Sequence, residues 1–131
     1  MLLYVDLTDG RPVYQQLRDQ VVEGIATGAI AEGERLPTIR QLAADLAINF
    51  HTVARAYDLL RQEGFVQVGR RNGASICVRG EAASPEWRAA LRTTLAHAYA
   101  KGMASEEILR ICREILATFQ KGGTSSETTL A

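Results

Sequence analysis

Between residues 35 and 79 the chain carries seven arginines and no lysine: Arg35, Arg40, Arg55, Arg61, Arg70, Arg71 and Arg79. Only Asp45, Asp58 and Glu63 oppose them, which leaves this stretch at a net charge of +4. A guanidinium is planar and permanently charged, and its fork of N–H donors matches phosphate oxygens and guanine edges. The chemistry indicated is recognition of a polyanion rather than the making or breaking of bonds. The flanks differ. Residues 1–34 hold Arg11 and Arg18 against six acids, a net of −4, and residues 80–131 hold six charges of each sign. The whole chain, with 15 basic and 15 acidic residues, sums to zero. That total argues against a nucleic-acid partner; its distribution along the chain argues for one.

Other chemistries find no residues to carry them. There is no paired-carboxylate acid/base setting, no Ser/His/Asp set and no phosphate loop, so the chain does not read as an enzyme and calls for no cofactor. Cys77 and Cys112 are far apart and lack a CxxC spacing, which speaks against a disulfide framework or a zinc site. Both fall on apolar patterns and read as core residues. At 131 residues and 47% hydrophobic content the chain suits one compact domain, or a small domain with an appendage. The first residues lack a signal-peptide pattern, and no apolar run of membrane-spanning length occurs. The expectation is a cytoplasmic protein with no membrane partner.

These arginines need elements to hold them. Pro12 opens a first helix along Tyr14, Leu17, Val21 and Ile25, which Gly28 stops. The segment 31–35 reads as a loop ending in Leu36-Pro37. Thr38 with Gln41 three residues on makes a capping-box start for a second helix, with an apolar stripe of Ile39, Leu42, Ala43 and Leu46. After a tight turn at Ala47-Ile48, Asn49 caps a third helix with Val53, Ala56, Tyr57 and Leu60 inward, and Gly64 suits its C′ position. Two helices joined this tightly form a helix-turn-helix. Two β-type runs follow, residues 65–68 and 75–78, around Gly69-Arg70-Arg71-Asn72-Gly73, and Asn-Gly is a hairpin signal. An arginine-tipped hairpin in this place is a wing.

Beyond a small polar linker at 80–84, Pro85 opens a fourth helix that breaks at Lys101-Gly102. Ser105 is expected to cap a fifth, with Glu106 and Glu107 in its first turn. The fold class is therefore mainly α with a small β-hairpin. A winged helix-turn-helix DNA-binding domain spans 1–79, a two-helix dimerisation region spans 80–121, and a Gly/Ser/Thr-rich tail at 122–131 is expected to be disordered.

Leu36-Pro37-Thr38-Ile39-Arg40-Gln41-Leu42-Ala43, Asn49-Phe50-His51-Thr52-Val53-Ala54-Arg55-Ala56-Tyr57 and Glu63-Gly64 resemble the DNA-binding domain of GntR-type bacterial transcription regulators. Pro12-Val13-Tyr14-Gln15-Gln16-Leu17 resembles the first helix of that domain. The short C-terminal region is similar to the YtrA-like subfamily, whose members carry two dimerising helices, and the length fits that group rather than the MocR-like members with their aminotransferase-like domain. The resemblance implies a transcription regulator without a separate effector domain, and it carries a DNA-contacting arginine onto Arg40. The wing departs from the family's Gly-x-Gly-Thr-aromatic-Val run: here it reads Gly73-Ala74-Ser75-Ile76-Cys77-Val78.

The residues themselves make Arg40, beside the helix start capped by Thr38, a phosphate clamp. On the recognition helix, Arg55 is the leading candidate for base or phosphate contact, with Thr52 and His51 as phosphate donors. Asn49 either caps its own helix or meets a base. Phe50 either touches thymine methyls or packs on the neighbouring helix. Arg35 faces the backbone, and Arg70 and Arg71 reach the minor groove or its phosphates from the wing tip. Arg61 pairs with Asp58 instead.

In the C-terminal region, Trp87, Leu91, Leu95, Tyr99, Ile108, Ile111, Ile115, Leu116 and Phe119 exceed what two helices can hide between themselves. A second copy of the chain is the simplest cover. The expected function is a homodimeric repressor bound to a pseudo-palindromic operator in double-stranded DNA, with any small-molecule effector unidentified. The alternative is a winged-helix protein-interaction module, which the zero net charge would suit.

Overall fold

The computed structural model describes residues 2–69 and 73–121. The chain divides into two compact units, Met1–Gly80 and Glu81–Ala131. The first contains α1 (Val13–Thr27), α2 (Ile39–Leu46), α3 (Phe50–Gln62), β1 (Val66–Gly69) and β2 (Gly73–Ile76). The second contains α4 (Pro85–Ala100) and α5 (Ser105–Lys121). This is a winged helix-turn-helix followed by two further helices. Among the described residues, no helix is long and apolar enough to cross a membrane.

Local signals account for most helix ends. Gly28 ends α1 in the left-handed conformation. The Thr38 hydroxyl accepts from the Gln41 amide at 3.1 Å, and the Asn49 carboxamide oxygen accepts from the His51 amide at 2.7 Å, so each helix of the motif has a side-chain cap. Between them, Ala47 takes φ 55°, alone among described non-glycine residues in having a positive φ. The turn is therefore as short as the sequence implies, and it places α3 across α2.

The core is built by one stripe from each helix. Leu17 and Val21 of α1, Leu42 and Ala43 of α2, and Val53, Ala56, Tyr57 and Leu60 of α3 are all buried, and Val66 and Ile76 close it from the hairpin. Each buried leucine, isoleucine or valine among them stabilises by roughly 1.5–3 kcal/mol. Ahead of α1, the buried Gln16 accepts from the Asp6 amide and donates to the carbonyls of Asp6 and Arg11. Gln20 clasps both backbone groups of Tyr4 in the same manner. Two glutamines thus hold the leading segment along the first helix without a strand.

The hairpin is antiparallel, with Val66 opposite Ile76 and Gly69 opposite Gly73. Both strands sit nearer the tip than the sequence reading put them, but pairing continues past their ends, since the Cys77 amide donates to Phe65 and the Arg79 amide to Gly64. Gly64 has φ +87°, and a Cβ there would collide with the Arg79 carbonyl, so this crossing requires glycine. The segment expected as a loop at 31–35 has more order than that. Its last part pairs with the free edge of β2: Arg35 bridges Ser75, the Leu36 amide donates to Ala74, and the Ile76 amide donates to Glu34. Arg70, Arg71 and Asn72 lie outside the described residues, as does the tail at 122–131.

In the second unit, Ser84 caps α4 by accepting from the Trp87 amide. The expected cap on α5 needs correction. Ser105 is the first residue inside that helix, and the carbonyl of Ala104 accepts its first backbone bond, from Ile108. The cap position belongs to an alanine with no side chain to offer. No residue of α4 is buried.

Candidate nucleic-acid interface

The positive segment sorts into two kinds of arginine. Arg61 is tied to Asp58 at 2.6 Å, the expected pair one turn apart, and Gln62 donates to the same carboxylate. The Arg61 guanidinium, with help from Gln62, holds the Asp58 carboxyl below the ordinary range. Arg18 of α1 meets Asp19 at 2.9 Å and Glu63 at 2.8 Å, while Arg11, ahead of that helix, meets Asp9 and Asp19. Asp58 and Glu63, two of the three acids in the positive stretch, are therefore occupied away from the other arginines.

Arg35, Arg40, Arg55 and Arg79 have no ion pair among the described residues. Arg79 gives a hydrogen bond to Gln67 at 3.0 Å. Arg35, Arg40 and Arg55 are exposed. Arg40 is the second residue of α2, and the amides of Ile39 and Arg40 find no acceptor among the described residues. A helix start with open N–H groups and a guanidinium beside them is suited to an anionic oxygen.

Arg40 and Arg55 lean on aromatic rings instead of carboxylates. The Arg40 guanidinium carbon lies 5.9 Å from the ring centroid of Phe50, and that of Arg55 lies 3.9 Å from the centroid of Tyr14. Phe50, 41% exposed, also meets His51 edge-to-face at 5.6 Å. Phe50 thus touches the guanidinium of the neighbouring helix while keeping part of its ring open. Asn49 spends its side-chain oxygen on its own helix. Thr52 is half-buried in the first turn of α3, and His51 is exposed beside it.

One part-buried hydrogen bond ties together the frame behind these groups. The Tyr57 hydroxyl donates to the Pro37 carbonyl at 2.6 Å, joining α3 to the entry of α2. Burial pushes that phenol's pKa upward, so it stays a donor at any physiological pH. The contact of Tyr14 with Arg55 is not legible in the sequence, because it depends on how α1 crosses α3 and no local spacing reports that crossing.

The second unit presents apolar surface. Trp87, Leu91, Leu95 and Tyr99 of α4 face Ile108 and Leu109 of α5 across an open groove. Leu109 was not among the residues expected there. Ile115 and Leu116 are exposed further along α5, whereas Ile111, Cys112 and Phe119 are half-buried. Among the described residues, no cluster of His, Cys, Asp and Glu has the make-up of a metal site.

Residues 13–76 match the model of the gntR family of bacterial regulatory proteins. The HTH-type transcriptional regulator Rv1152 of Mycobacterium tuberculosis is 37% identical over 108 residues, covering 82% of this chain and 88% of that relative. The chain belongs to the GntR family. Within GntR regulators, its likeness to YtrA-type members runs nearly end to end. The HTH-type transcriptional repressor YtrA of Bacillus subtilis is 27% identical over 131 residues, covering 96% of this chain and all of that protein. A solved GntR-family structure, YtrA from Sulfolobus acidocaldarius, superposes with a TM-score of 0.62 at 36% identity, covering 76% of this chain and 99% of the other. The GntR match includes Tyr14, Arg40 and Arg55.

Proposed function

We propose that this GntR-family protein is a homodimeric, sequence-specific DNA-binding repressor of the cytoplasm, and not an enzyme. Residues 1–79 bind the operator and residues 80–121 pair two copies. The observation that carries the reading is the partition of the arginines: Arg35, Arg40 and Arg55 stay exposed and unpaired by acids around two capped helix starts. A phosphate backbone is the partner such a surface lacks. Arg40 and the amides of α2 take a phosphate, and the first turns of α3 enter the major groove with Thr52, His51 and Arg55. Arg70 and Arg71, outside the described residues, are assigned to the minor groove or its phosphates on their sequence position alone.

The repressor assignment draws support from the name of the Bacillus relative. Pairing draws support from the exposed apolar faces of α4 and α5, which water disfavours and a two-fold partner would cover. A two-fold dimer reads half-sites about one helical turn apart, or a multiple of it.

The test is selection of duplexes from a random-sequence pool, followed by gel shift of the enriched sequence. The expected outcome is a pseudo-palindromic consensus, with binding reduced at least about tenfold by Arg40→Ala. A pool that yields no consensus, or binding indifferent to Arg40→Ala and Arg55→Ala alike, would return the fold to the protein-interaction class.

A further inference from the structure

We propose that Tyr14, on the first helix and outside the helix-turn-helix itself, is a positioning residue that holds the Arg55 guanidinium ready for DNA. The inference rests on the DNA-binding reading above and adds a residue to its machinery. The guanidinium carbon of Arg55 stands 3.9 Å from the Tyr14 ring centroid. Tyr14 is half-buried and packs against the core cluster, so the ring is a fixed platform, whereas Arg55 is exposed.

A ring and a carboxylate do different things to an arginine. Arg61 and Arg18 direct N–H donors at carboxylates, which consumes those donors and offsets the charge. A ring attracts the cation through its quadrupole and covers a face, leaving the edge donors and the full charge available. Arg55 has no acid partner among the described residues. The arrangement suits an arginine that must be restrained before binding and still have its hydrogen bonds to give. Restraint in the free protein lowers the ordering cost at the moment of binding.

The experiment compares affinities for the duplex enriched by the wild-type protein. Tyr14→Leu should weaken binding by about 5- to 10-fold, as loss of a cation–π contact predicts. Tyr14→Phe, which keeps the ring, should stay within about twofold. Arg55→Gln should weaken binding at least as much as Tyr14→Leu, and the double variant should bind no more weakly than Arg55→Gln alone. Pentafluorophenylalanine at position 14 keeps the ring's shape and reverses its quadrupole. It should bind as weakly as Tyr14→Leu, and it preserves the test if the leucine variant does not fold.

Independent, additive losses from Tyr14→Leu and Arg55→Gln would overturn the proposal. So would a loss in Tyr14→Phe equal to that in Tyr14→Leu, which would assign the effect to the hydroxyl. Unchanged affinity in Tyr14→Leu with a lowered melting temperature would reduce Tyr14 to a core residue. These results leave wild-type binding intact. If the wild type enriches no duplex at all, the DNA reading falls first and this inference with it.

Discussion

The Tyr57 hydroxyl reaches back from the third helix to the carbonyl of Pro37 at 2.6 Å, tying that helix to the residue just ahead of the second helix's cap. The tyrosine is buried and the proline half-buried, so removing the donor leaves the carbonyl without its protein partner. Tyr57→Phe should cost about 1–2 kcal/mol in denaturant unfolding with the fold retained. An unchanged midpoint would mean that water reaches the carbonyl and that the bond does not brace the motif.

Asn49 caps α3 through its side-chain oxygen, and it stands where a base contact is also expected. Serine preserves a cap and alters the reach of the side chain. Asn49→Ala should lose about 1 kcal/mol of stability and Asn49→Ser only a few tenths. If the serine variant also keeps full DNA affinity, the residue serves the helix alone; a serine variant that is stable yet binds weakly would assign it a base contact as well.

The acid limb of stability should include a contribution from Asp9. The Arg11 side chain, then the Arg11 amide, hold its carboxyl at about 2, below the ordinary 3.8. The folded value is the lower one, so the contribution is present above pH 3.8 and fades as pH falls toward 2. The stability gap between wild type and Asp9→Asn should close over that window at low salt. The pair is solvent-exposed, so added salt should shrink the gap. A gap that widens on acidification would contradict the assignment.

Leu91 and Leu116 are exposed apolar residues on α4 and α5. Under the pairing reading, Leu91→Glu or Leu116→Glu buries a charge at the partner's surface. Sedimentation should then report monomers where the wild type sediments as a dimer, with operator affinity lower by about a hundredfold as the two half-sites uncouple. Wild-type protein that sediments as a monomer at micromolar concentration would remove the dimer from the account.

What the sequence disclosed was mostly short-range. The caps at Thr38 and Asn49, the glycine at Gly28 and the inward stripe of α3 each depend on residues within about a turn of one another, and local pattern reports such relations well. The edge pairing of Arg35 with Ser75 escaped because a single bridge leaves no alternation to detect. Ser105 misled because a serine before two glutamates fits a cap and a first turn alike. The exposed arginines were visible as a net charge of +4. Which of them keep that charge was not, because the pairings of Arg18 with Glu63 and of Arg55 with Tyr14 span separate helices and exist only after folding.

If the unpaired arginines serve as phosphate ligands, DNA affinity must fall steeply with salt as their counterions are released. With about three such contacts from each of two protomers, log affinity against log salt should fall with a slope of about −5, and Arg40→Ala in both protomers should flatten it by about 2. A slope near zero for the wild type, or one untouched by Arg40→Ala, would mean that these arginines do not meet phosphates.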